Sequence, residues 1–74
     1  MERDVEIRGE MIRLGQLLKL AGVIDAGGEA AALLAATPVL VNGEPEQRRG
    51  RQLRAGDQVR IGEELLRVTV HSRG

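Results

Sequence analysis

The sequence predicts an α+β domain in which two short helices precede the strands of a small sheet. Three observations carry this. Residues 13–21 (RLGQLLKLA) repeat apolar positions at helical spacing. An alanine-rich run, Gly28–Ala36, ends at Thr37-Pro38. From Val39 onward, short runs of alternating apolar residues are separated by Asn42-Gly43, Ala55-Gly56-Asp57 and Gly62-Glu63-Glu64.

The chain has 74 residues, 42% of them hydrophobic, with no Phe, Tyr, Trp or Cys. One domain is the natural reading, with a thin core of Leu, Val, Ile and Ala, since a chain this short buries only about two-thirds of its unfolded surface. The missing cysteines exclude a disulfide framework and thiolate metal ligands. No run approaches the ~18 apolar residues of a membrane span, and no signal peptide is visible. A cytoplasmic protein is therefore expected. The formal net charge is +0, which argues against bulk attraction to nucleic acid. Its distribution is uneven: residues 1–41 carry −2 and residues 42–74 carry +2.

The elements follow in order. Residues 1–11 (MERDVEIRGEM) read as a short edge strand, with Val5 and Ile7 on one side, or as a loose solvated arm. The predicted folded domain covers residues 12–70. In the first helix Leu14, Leu17, Leu18 and Ala21 form the apolar stripe. Lys19 lies opposite it, as an ordinary solubilising lysine would, and Leu20 is expected to meet a second element. Gly22 stands where a left-handed C-cap belongs. Val23, Ile24 and Asp25 connect to a turn at Ala26-Gly27-Gly28. This double glycine lacks the lysine and spacing of a phosphate loop. Ala30, Leu33 and Leu34 give the buried face of the second helix. In the strand Val39-Leu40-Val41, the two valines face the core and Leu40 turns outward. Asn42-Gly43 marks a hairpin turn. Glu44-Pro45-Glu46-Gln47 is expected to continue as a loop, since Pro45 cannot donate to a ladder. Leu53 is the single apolar anchor of the basic stretch that follows. Val59 and Ile61, then Leu66, Val68 and Val70, form the remaining strand faces. Residues 71–74 are a tail.

An enzyme is hard to assemble from this inventory. The only histidine, His71, lies beside Ser72 in the tail, far from any nucleophile held by a base and an orienting group. The pairs Glu44/Glu46 and Glu63/Glu64 fall in turns, where they read as solvated charges. No metal-ligand spacing occurs, so neither metal nor cofactor is expected. The constellation with directed chemistry is Arg48, Arg49, Arg51 and Arg54. Guanidinium groups splayed from a glycine-containing loop match phosphate oxygens bidentately. The bland alternative is a charged turn balanced by Glu44, Glu46 and Asp57. Without aromatics, single-strand stacking is excluded, so recognition would be of backbone and shape in structured RNA.

The order LLKLAG, GGEA, VNGE, RRGR and GD resembles the alpha-L RNA-binding motif, the S-four domain (ribosomal protein S-four type). It is similar above all to the small stand-alone bacterial versions, over about residues 5–70. The resemblance implies two helices packed on a small bent antiparallel sheet. It also implies a non-catalytic module that binds structured RNA, often ribosomal, with a ribosomal subunit or assembly intermediate as partner. It places Lys19 at the family's basic position on the first helix and Arg48, Arg49 and Arg51 in its basic loop. Gly43 and Gly56-Asp57 match its turns. Three positions depart. Ala31 and Gln52 stand where lysines are common, and Thr37-Pro38 replaces a polar or glycine-containing helix exit. Two other readings compete with this one. A protein-interaction scaffold of the same fold would use Leu40 with Ala31, Ala32 and Ala35. A ubiquitin-like sulfur carrier would need a Gly-Gly end, where this chain has Ser72-Arg73-Gly74.

Overall fold

The computed structural model describes residues 1–26 and 28–70. Gly27 of the predicted inter-helix turn and the tail with His71 and Ser72 lie outside the described residues. The elements are β1 (Glu2–Ile7), β2 (Ile12–Arg13), α1 (Leu14–Leu20), α2 (Glu29–Ala36), β3 (Val39–Val41), β4 (Glu44–Pro45), β5 (Gln52–Leu53), β6 (Gln58–Ile61) and β7 (Glu64–Val70). Five strands form one sheet in the order β1-β7-β6-β3-β4, and β2 pairs with β5 in a separate ribbon. The α+β class is as expected.

The helices form for the reasons their sequences give. Leu14, Leu17 and Leu18 are fully buried, and Lys19 is exposed opposite them. α1 ends in a Schellman motif: Gly22 has φ +76°, its N–H donates to the Lys19 carbonyl, and the Val23 N–H donates to the Leu18 carbonyl. α2 buries Ala30 and Leu34 and stops at Thr37, whose extended backbone (φ −126°, ψ 132°) is what the following proline demands. Both helices share one core with inward residues of the sheet, including Ile7, Val41, Val59, Leu66 and Val68, and with Leu53 of the ribbon.

Several expectations change. The sheet is mixed, not wholly antiparallel, because β1 runs parallel to β7, with Val5 opposite Val68 and Ile7 opposite Val70. Alternation fixes which side chains turn inward, and Val5 and Ile7 are buried accordingly. It carries no information on strand direction, which here is set by a connection spanning nearly the whole chain. The Glu44–Gln47 loop is interrupted by β4, where Leu40 faces Pro45 and Val41 faces Glu44. A proline is tolerated there because β4 is an edge strand. Leu20, expected to be covered by a second element, is 56% exposed, and Val70 at its strand end is 38% exposed. Asn42 and Gly43 both have positive φ, at 53° and 85°, as a two-residue I′ turn requires.

Candidate nucleic-acid interface

Residues 46–53 are held from both ends. On one side, Glu46 donates its N–H to the Val39 carbonyl at 2.9 Å. On the other, Ile12 pairs with Leu53 and Arg13 with Gln52. Between these anchors, Arg48–Arg51 form a turn closed by the Arg51 N–H donating to the Arg48 carbonyl at 3.2 Å. The start of α1 lies against this turn. The Leu14 N–H donates to the Arg51 carbonyl at 2.8 Å, and the Gly15 N–H to the Arg49 carbonyl at 2.9 Å. Helix-start N–H groups need acceptors from outside the helix, and α1 has no side-chain cap. The arginine turn supplies them with its own carbonyls. The approach is close: a Cβ on Gly15 would sit 3.4 Å from both the Ala30 and the Arg49 Cβ atoms.

The arginines then divide. Glu46, expected to be a solvated turn charge, is only 7% exposed. Its Oε2 accepts the backbone N–H groups of Gln47 (3.1 Å) and Arg48 (3.0 Å), and Arg48 Nε at 3.1 Å. Its Oε1 accepts Arg51 Nη1 at 2.9 Å and Arg48 Nη2 at 3.4 Å. The Arg48 side-chain and backbone bonds, aided by Arg51, outweigh burial and hold the carboxyl well below its ordinary 4.5, at about 2. The same pairing raises the Arg48 guanidinium. The balanced-turn alternative is therefore correct for Glu46, though for two arginines only. Asp57 does something else. It accepts the Arg54 backbone N–H at 2.7 Å and Asn42 Nδ2 at 3.1 Å, bracing the Gly56 turn against the Asn42-Gly43 hairpin.

Among the described residues, Arg13, Lys19, Arg49 and Arg54 take part in no ion pair. Three of them meet. Arg13, Lys19 and Arg49 line an open concavity of about 390 Å³ together with Gly15, Gln16 and Gly50. Arg48, Gly50, Arg51 and Gln52 line an adjoining one. Of the residues singled out by sequence, Lys19 and Arg49 thus come together, Arg48 and Arg51 flank them across Gly50, and Arg54 lines neither concavity. Sequence reasoning missed Arg13. The only available signal was its place just before the leucine stripe, because its register opposite Gln52 is a tertiary fact. Gln52, which stands where the family often has lysine, is exposed and has the Arg13 cation across the ribbon. Such an arrangement can bind a polyanion, and its donors suit phosphate oxygens. No group of His, Asp or Glu able to hold a metal occurs among the described residues. No described helix is long and apolar enough to cross a membrane.

The family model described as the S4 domain matches residues 5–69. A Bacillus subtilis (strain 168) protein named "Probable ribosome maturation protein RlbA" is 54% identical over 61 residues, covering 82% of this chain and 86% of that protein.

Proposed function

The chain belongs to the S4 domain family, and on that premise we propose that it is a non-catalytic module that binds structured RNA during ribosome maturation. The observation that carries the proposal is the convergence of Arg13, Lys19 and Arg49 on one concavity, with none of the three in an ion pair among the described residues. Arg48 and Arg51 extend the contact surface, and Arg54 continues it beyond β5. The ligand is RNA backbone, for which ribosomal RNA in a subunit or assembly intermediate is the natural source. The name of the Bacillus subtilis relative supports that choice. The same reading implies a cytoplasmic site of action. Family membership leaves the ubiquitin-like carrier alternative without support.

The test is anisotropy of a fluorescein-labelled RNA hairpin titrated with protein across a salt series. Each phosphate contact releases counterions, so log K falls linearly with log salt, by about 0.7–0.9 per contact. Lys19→Ala with Arg49→Ala is expected to flatten the slope by about 1.5 and weaken binding at every salt concentration. Equal, salt-insensitive binding by wild type and variant would refute the assignment. A protein-docking role of the same fold has one observation in its favour, the exposure of Leu20 on α1 and of Ala31, Ala32 and Ala35 on α2. Crosslinking in cells that recovers a protein and no RNA would favour it.

A further inference from the structure

We infer that Glu46 is a positioning residue for RNA binding, a buried anion that fixes which edges of Arg48 and Arg51 face the ligand. This deepens the RNA-binding reading above and rests on it. A carboxylate within an anion-binding loop should weaken binding by repulsion, so its presence needs a reason. The geometry supplies one. Glu46 is 7% exposed, too enclosed to be displaced by an incoming phosphate, whereas Arg48 has a side chain 76% exposed. Glu46 takes the Nε and Nη2 edge of Arg48 and the Nη1 end of Arg51. Arg48 keeps both Nη1 hydrogens and Arg51 keeps its Nε and Nη2 hydrogens, all unspent in the hydrogen bonds of the loop. Each guanidinium is therefore clamped on one edge and open on another.

The clamp also reaches the backbone. The carboxylate that orients the side chains accepts the N–H groups of Gln47 and Arg48, so it sets the entry into the Arg48–Arg51 turn. An arginine free on the surface loses considerable rotamer freedom when it binds. One already held by an internal carboxylate has lost most of it before the ligand arrives.

This yields a test with an unusual sign. Glu46→Gln adds one unit of positive charge to the face, and on charge alone it would tighten RNA binding. Lost positioning predicts the reverse, about fivefold weaker binding of the labelled hairpin, with amide NMR spectra confirming that the variant is folded. Glu46→Asp, which keeps the charge, is expected to stay within about twofold of wild type. A second readout needs no RNA: the Arg48 Nε–H and Arg51 Nη1–H signals, both bonded to Glu46, should exchange slowly in wild type and move together in Glu46→Gln. Tighter or unchanged binding by folded Glu46→Gln would overturn the inference, as would equal losses in Glu46→Gln and Glu46→Asp. If wild type fails to bind any RNA hairpin, the functional reading falls. Identical arginine signals in wild type and Glu46→Gln would then refute positioning separately.

Discussion

Acid should selectively erase the contribution of Glu46 to stability. The perturbation is Glu46→Gln, followed from neutral pH down to about pH 2. The carboxyl has an ordinary value of 4.5 and is lowered to about 2 in the folded chain. A depressed acid stabilises the fold fully above its unfolded value, and that contribution fades as pH falls toward the folded value. Linkage over this interval corresponds to an upper figure of about 3 kcal/mol. The Arg48 partner is largely exposed, so solvent screening brings this nearer 2 kcal/mol. In a domain of this size, 2 kcal/mol moves the midpoint of thermal unfolding by about 8–15 °C. Far-UV circular dichroism is the assay, since the chain has no Trp, Tyr or Phe to report by fluorescence. Effects of acid common to both proteins cancel in the difference. The gap between wild type and variant should be full above about pH 5, shrink below 4.5 and be nearly gone at about pH 2. A gap that stays constant to pH 2, or widens with acid, would refute the assigned hydrogen bonding.

Three further outcomes follow from the packing. Leu17→Ala removes a fully buried side chain from α1 and should cost about 2–5 kcal/mol; the total stability of such a domain is about 4–11 kcal/mol, so the urea midpoint should fall by a large fraction of its wild-type value. Gly15→Val places a branched side chain where the first carbon already meets Ala30 and Arg49 at 3.4 Å; it should destabilise by about 1–3 kcal/mol and shift amide signals throughout Arg48–Arg51, and unchanged loop signals would count against the α1 contact. Leu20→Gln changes a side chain that is 56% exposed, so its urea midpoint should stay within about 0.5 kcal/mol of wild type.

Much of the fold was legible because each element carried its own local signal. The stripe of Leu14, Leu17 and Leu18, the glycine after it, the proline after α2 and the Asn-Gly turn act within a few residues of where they stand. The misses share a different origin. The parallel pairing of β1, the ribbon joining Arg13 to Gln52, and the contact of Gly15 with Arg49 join segments far apart in sequence. No periodicity reports such meetings. Leu20 went wrong because a leucine at the edge of an apolar stripe satisfies the pattern whether or not a neighbour reaches it. Glu46 went wrong because acids in turns are usually solvated, and the rule has no term for two arginines folding back over one of them.

That last error bears on how a basic face is read from sequence. Arg48, Arg49 and Arg51 are chemically identical and lie within four positions, so a count treats them as three equal phosphate ligands. The fold does not. Arg49 projects from the tip of the turn with its backbone carbonyl tied to Gly15 and its guanidinium unpaired, while Arg48 and Arg51 share one internal carboxylate. The unpaired charge of the concavity comes instead from three separate segments: Arg13 on β2, Lys19 on α1 and Arg49 on the turn. These are brought together by the β2–β5 ribbon and the two α1 hydrogen bonds to the arginine turn. Affinity should then depend on those backbone ties as well as on the cations. A substitution such as Gly15→Val, which leaves every arginine in place, is expected to weaken RNA binding alongside Arg49→Ala.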